Sequence, residues 1–343
     1  MNTEKKFFHS NTAIVTLFAA CFVVLISLGV RQTFGLFFID FNESLNISNT
    51  AFGFAIGTQM LMWGLTGPIF GAIADRFGGH VAIISSFLFY TLGVYFLYSG
   101  PNTGIFFQIH LGLLIGIGLG GTAISIPMSI VGKHFPLSNR TIAMSIVTAV
   151  GSFGYFISPI FTNYSLIEYG WNYTLFLFSL FLVTGLIAAY FVRSPKENEI
   201  VENRSDQSFK EALSEAFKSK SYILLVSGFF VCGFHITLVG THVPKYVIDR
   251  GLEDWTAAAI LSLIGLFNIF GSLLSGYLST KISKKVLLSA IYLLRGFSIA
   301  FFIFTPPSVL SAFIFGASFG FLWLSTVPAT SGIVAHLFGT KYL

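Results

Sequence analysis

Long apolar runs separated by short polar stretches recur along nearly the whole chain. A helix needs about 20 predominantly apolar residues to cross roughly 30 Å of hydrocarbon, and the pattern predicts about ten such spans. The first five run 12–38, 51–72, 81–98, 104–131 and 141–162; the second five run 173–192, 222–247, 256–280, 286–305 and 309–337. Within each run the apolar residues are continuous and do not alternate with polar ones, which predicts membrane helices and not barrel strands. Composition agrees: 54% of residues are hydrophobic, 10% are charged, and the mean hydropathy is +0.80. The prediction is an all-α membrane protein.

The few charges are unevenly placed. One set of loops holds Lys5, Lys6, Arg76, Lys133, Arg140, Arg193, Lys196, Lys281, Lys284 and Lys285, while the opposite set holds only Lys245 and Arg250. Basic residues stay on the cytoplasmic side of short loops, so the expected placement is multi-pass in the cell (inner) membrane with a cytoplasmic N-terminus. The net charge of +5 then reports topology and no nucleic-acid partner. Cys21 and Cys232 both fall inside apolar runs, so neither a disulfide framework nor a metal site is indicated. No cofactor motif and no P-loop is recognised, which points away from an enzyme or an ATP-driven pump and toward a gradient as the energy source. "GIGLGG", Gly116 to Gly121, fits a dinucleotide fingerprint but lies inside a membrane run without a strand before it; Gly112, Gly116 and Gly120 instead have the spacing that lets membrane helices touch.

A soluble stretch, Arg193 to Lys220, separates six spans from the rest. The chain is therefore divided into an N-terminal six-helix bundle (1–192), a cytoplasmic linker (193–220) and a C-terminal bundle (221–343). Inside the linker, Phe209, Ala212, Leu213, Ala216 and Phe217 fall on one helical face, predicting a short interfacial helix. The halves also repeat. Setting Gly71 against Gly276 aligns "GAIADRFGGH" with "GYLSTKISKK", Arg76 with Lys281 and His80 with Lys285; spans 4 and 10 each carry a proline, Pro127 and Pro328, shortly before a histidine. Such repeats mark secondary transporters, which rock two bundles about a midplane site.

"GAIADRFGGH" resembles the loop 2–3 signature of the major facilitator superfamily, with His80 where the last base usually stands. The resemblance implies a cytoplasmic gate latch formed by Gly71, Asp75, Arg76, Gly78 and His80, with Lys281 as the repeat counterpart. It also implies the major facilitator fold, two six-helix repeats working as a monomer. Since only ten spans are read here, the second repeat is expected to lack helices eleven and twelve. The signature acid faces the start of helix eleven in that family, so Asp75 is expected to lack its partner. "GVRQTFGLFF", "CGFHITLVGTHVPKYVIDRGL" and "LIGLFNIFGSLLSGYL" resemble the bacterial monocarboxylate-transporter-like and oxalate–formate-antiporter-like branch. The span 8 Asp and Arg of well-known monocarboxylate transporters fall at Asn268 and Ser272, so their ion-pair mechanism does not carry over.

A charge at the centre of a membrane helix costs about 2.5–3.5 kcal/mol or more, and two arginines accept that cost: Arg31 in span 1 and Arg295 in span 9. No Asp or Glu lies clearly at their depth. Two cations without a protein anion fit a substrate that brings the negative charge, because guanidinium pairs with carboxylate through two hydrogen bonds. A small organic anion is the expected partner, with protons as a coupled ion. Competing readings stand beside this one: Arg31 as an outward-snorkelling side chain, and Arg295 as structural, since span 9 is peripheral in the family. His235 in span 7 is either a proton carrier, its ordinary pKa being near physiological pH, or a packing histidine; His110 is read as structural. Gln59, Tyr155, Asn268 and Trp323 are expected to line a cavity from spans 2, 5, 8 and 10. The function expected is a secondary carrier for a small carboxylate, by proton symport or anion exchange. The alternatives are a non-transporting membrane sensor or remnant, and an efflux carrier for drugs, disfavoured because no buried carboxylate would attract a cation.

Overall fold

The computed structural model describes residues 11–135, 137–194 and 209–338, and every regular element among them is helical. Lys5, Lys6 and Lys196 lie outside the described residues. The chain divides into two compact units, Met1–Ile200 and Val201–Leu343.

In the first unit, span 1 is Asn11–Leu45, span 2 Asn49–Phe77, span 3 Gly79–Ser99 and span 4 Ile105–His134. Spans 5 and 6 are joined in Leu137–Ala189 and separate at Gly170, whose φ of 79° suits a residue without a Cβ. Span 5 therefore runs on to Tyr169, beyond the predicted end at Thr162. Its last turns carry the exposed rings of Tyr164 and Tyr169, which pack together at 6.4 Å between centroids. Aromatic residues of this kind belong to the membrane interface, where helix continues although hydropathy has fallen. In the second unit, span 7 is Lys220–Asp249, span 8 Asp254–Leu278, span 9 Lys284–Phe304, and span 10 comprises Val309–Leu322 and Thr326–Phe338. A short helix, Phe209–Lys218, precedes span 7, with Ala216 buried and Phe217 exposed.

Close helix contact is bought with glycine. A Cβ on Gly116 would lie 2.7 Å from the Gln59 carbonyl oxygen and one on Gly120 would run into Thr66 Oγ1, so span 4 rests on the backbone of span 2. Gly118 and Gly121 meet Tyr90 and Ser86 of span 3 on the other side. In the second unit Gly316 and Gly320 play the same part against Ile260 and Ile264 of span 8. "GIGLGG" is thus a packing element, as its setting predicts.

Both repeats break their fourth helix. Span 4 is interrupted at Ala123 and Ile124, where Ala123 turns extended, and span 10 is interrupted from Trp323 to Ser325. Proline lacks the N–H that would reach the carbonyl four residues earlier, and its ring crowds that carbonyl. For Pro127 that carbonyl belongs to Ala123 and for Pro328 to Leu324, each inside its break.

Candidate functional site

In the first unit the intramembrane cation sits one turn before a tightened stretch of helix. The α-helical part of span 1 ends at Gln32, and Phe34–Phe37 continue as 3-10 helix. Phe37, Phe38 and Phe41 then pack edge-on against Phe178, Phe52 and Phe107 of spans 6, 2 and 4 at 5.8, 4.5 and 5.5 Å. This aromatic packing fixes the end of span 1 beyond Arg31.

Arg31 is 5% exposed. Its Nη2 donates to Met60 Sδ at 3.3 Å, its Nε has no hydrogen-bond partner, and the aromatic hydroxyls that act on its charge are those of Tyr155 and Tyr90. A thioether is a weak acceptor, and neither described ion pair, Lys133–Asp75 or Lys245–Asp249, involves Arg31. Around it, Tyr90 Oη donates to the Ser27 carbonyl at 3.0 Å, and the Ser27 hydroxyl bonds Thr122 Oγ1 of span 4 at 2.7 Å. Gln32, next in sequence, is 1% exposed with both amide atoms unbonded. Sequence reasoning missed Gln32, Tyr90 and Met60; the first offers a signal of its own, an amide beside an arginine in an otherwise apolar run. Tyr155 is buried within electrostatic reach of Arg31, whereas Gln59 donates through Nε2 to the Leu111 carbonyl at 3.0 Å within the span 2–span 4 contact.

In the second unit, Arg295, Asn268 and Trp323 come together at one place, the break in span 10. Arg295 is fully buried; its Nη2 donates to the carbonyls of Leu322 and Trp323 at 2.5 and 2.7 Å, and its Nη1 to Cys232 Sγ at 3.2 Å, with Nε unbonded. The guanidinium also stands 5.8 Å from the Phe319 ring centre, against which Trp323 packs edge-on. Asn268 Oδ1 accepts from the Leu324 N–H at 3.0 Å, and the Ser275 hydroxyl donates to the Ser325 carbonyl. His235 is half-buried with Nδ1 unbonded, within electrostatic reach of Arg295. The repeat register that sets His80 against Lys285 also sets Tyr90 against Arg295 and Ser27 against Cys232. Equivalent positions thus bridge equivalent spans in the two units, by a neutral hydroxyl in one and a guanidinium in the other.

At the loop between spans 2 and 3, Gly78 adopts φ 95° and closes span 2 through its N–H to the Ala74 carbonyl at 3.0 Å. A Cβ on Gly79 would run into Ile130 of span 4. Asp75 has a partner after all: Lys133 Nζ stands 3.0 Å from Oδ1. This partner comes from span 4, whose end returns to the same rim as the end of span 2, and is not the helix-eleven partner that the resemblance implies. Arg76 stacks on Phe77 at 5.2 Å and Lys281 on Tyr277 at 5.9 Å.

Two units of membrane helices that repeat one plan, each with a proline-broken fourth member, define a polytopic membrane protein built on an internal repeat. The chain belongs to the Major Facilitator Superfamily, whose family model matches residues 20–343. It is 25% identical over 313 residues to monocarboxylate transporter 6 of Mus musculus, covering 83% of this chain and 65% of that relative, so it spans about two thirds of the relative's length. It is 22% identical over 341 residues to the MFS-type transporter YcxA of Bacillus subtilis (strain 168), covering 94% and 81%. Among solved structures, a bacterial homolog of the human lysosomal transporter Spinster, inward-facing and unoccupied, matches with a TM-score of 0.71 at 17% identity over 95% of this chain and 76% of that one.

Proposed function

We propose that this chain is a secondary carrier moving a small organic anion, a monocarboxylate, by alternating access, driven by proton symport or anion exchange, with its N-terminus in the cytoplasm. The observation that carries the proposal is Arg31: a buried guanidinium whose one hydrogen-bond acceptor among the described residues is a thioether and whose Nε is unbonded. A carboxylate would supply the two strong acceptors that this fork lacks. The likeness to a monocarboxylate transporter supports the same substrate class. The hydroxyls of Tyr155 and Tyr90 act on the same charge, the latter while donating to the Ser27 carbonyl, and Gln32 offers an amide donor and acceptor next to it. His235 is the group proposed to exchange the coupled proton.

The test is uptake of radiolabelled L-lactate into proteoliposomes. Arg31→Gln keeps a polar side chain but removes the charge and the fork. Each charge-assisted hydrogen bond is worth about 1.5–3 kcal/mol, so the uptake efficiency is expected to fall by about a hundredfold or more with membrane insertion intact. Normal uptake by well-inserted Arg31→Gln protein would overturn the assignment.

A further inference from the structure

The second buried arginine answers to a different need. Where span 10 breaks, a run of backbone groups loses its helical partners, and in a membrane each unsatisfied group costs several kcal/mol. Every one with an identified bond finds it within the same unit. Trp323 N–H turns back to the Gly320 carbonyl at 3.0 Å and Val327 N–H to the Leu324 carbonyl at 3.0 Å. Leu324 N–H goes to Asn268, the Ser325 carbonyl to Ser275, and the carbonyls of Leu322 and Trp323 both go to Arg295 Nη2. The other arm of the guanidinium holds Cys232 Sγ, which also bonds Thr326 Oγ1, the first residue of the lower segment, at 3.2 Å.

We infer that Arg295 is a positioning residue: its fork splints the proline-made break in span 10, fixing how Val309–Leu322 joins Thr326–Phe338, and takes no part in holding the substrate's charge. Guanidinium suits this work because its planar fork spreads five donors over three nitrogens and here reaches two carbonyls and a sulfur at once, whereas an ammonium gathers its donors on one nitrogen and an amide has two. The equivalent position of the first unit needs no cation. There the break is shorter, Ala123 N–H still reaches the Leu119 carbonyl at 3.1 Å and Met128 N–H the Ile124 carbonyl at 3.0 Å, and Tyr90 stands where Arg295 would be. Only the transport arm of the test rests on the carrier reading above; the other two arms report the splint directly.

In a Cys21→Ala background, alkylation by N-ethylmaleimide reads Cys232, which is 2% exposed. Arg295→Met is expected to raise the alkylation rate about tenfold or more through local opening of the break, and to lower the unfolding temperature. Adding Pro328→Ala supplies a new backbone N–H at that position, which with those of Thr326 and Val327 can rejoin the freed carbonyls, and is expected to restore much of both losses. Arg295→Lys, which keeps the charge and breaks the fork, should alkylate at an intermediate rate if Arg295→Met does not fold. Its L-lactate uptake should show a lower maximal rate with KM within about twofold of the parent. Unchanged alkylation in both variants, or no rescue by Pro328→Ala, overturns the splint. A KM raised about tenfold or more at an unchanged maximal rate would instead assign Arg295 to the substrate.

Discussion

A side chain kept for a substrate and one kept for the fold should respond oppositely when removed, and Arg31 provides the sharper case. Arg31→Met replaces a guanidinium by an unbranched apolar chain that suits irregular packing. The perturbation removes one hydrogen bond, from Nη2 to Met60 Sδ at 3.3 Å, and an Nε that has no partner. The bond to sulfur is worth no more than about 0.5–1.5 kcal/mol net. Against that stands the cost of about 2.5–3.5 kcal/mol of holding a charge in a membrane helix. The difference predicts a protein more stable by about 1–3 kcal/mol, read as an unfolding temperature raised by a few degrees in detergent without substrate. The same protein should fail to take up L-lactate. Stability gained together with transport lost is the mark of a residue retained for function. An unfolding temperature several degrees below the parent would refute the reasoning, since it would mean that Arg31 is held by bonds that matter to the fold. The opposite sign is expected at Arg295, where removal leaves two buried carbonyls without their donor.

The remaining predictions concern packing, the loop and coupling. Gly116→Val should destabilise by about 1–3 kcal/mol, because the first added carbon already lies 2.7 Å from Gln59 O and Met62 Cβ; Gly71→Ala, with nothing within 4 Å of its new methyl, should be neutral or slightly stabilising, and equal losses in thermal unfolding would count against the packing account. Asp75→Asn breaks an ion pair whose carboxylate side chain is 73% exposed, so its stability cost should stay below about 1 kcal/mol, and a double-mutant cycle with Lys133→Met giving a larger coupling would contradict this. His235→Asn should flatten the pH dependence of L-lactate uptake between about pH 5 and 8; an unchanged profile would return His235 to packing and favour anion exchange.

Much of this architecture was open to reading from the chain alone because bilayer thickness sets the length of an apolar run, and nothing else in the sequence competes with that signal. The helix breaks were half legible: Pro127 and Pro328 mark which carbonyls must be freed, and a buried arginine at matching depth in span 9 is the cue that something has to receive them. What the sequence could not decide was the use of each arginine. Arg31 and Arg295 look alike as lone cations in apolar runs, and only the position of backbone carbonyls, fixed by tertiary packing, separates them. The same holds for Asn268, which reads as a cavity-lining amide until Leu324 N–H is found on its oxygen. The Asp75–Lys133 pair joins the ends of spans 2 and 4, far apart in sequence, and depends on span 4 crossing span 2 at glycines before it reaches the same rim.

Duplication explains why two such different arginines occur in one chain. Two copies of one helical plan begin with the same problem, a fourth helix interrupted by proline and a gap between its neighbours to be bridged. In the first copy the interruption is brief enough for hydroxyls: Thr122 Oγ1 bonds the Gly118 carbonyl at 2.8 Å, Ser27 reaches Thr122, and Tyr90 reaches Ser27. In the second copy three residues leave the helix, and neutral donors at those positions are too few for the carbonyls exposed; a guanidinium with five N–H groups meets the demand. Its charge is then surrounded by backbone oxygens, a thiol and aromatic faces, which lowers its value for a passing carboxylate. The cation on span 1 has no such occupation. On the proposed function, recognition of an anion would fall to the first unit while the second contributes a splinted helix, a division of work that identical repeats could not have sustained.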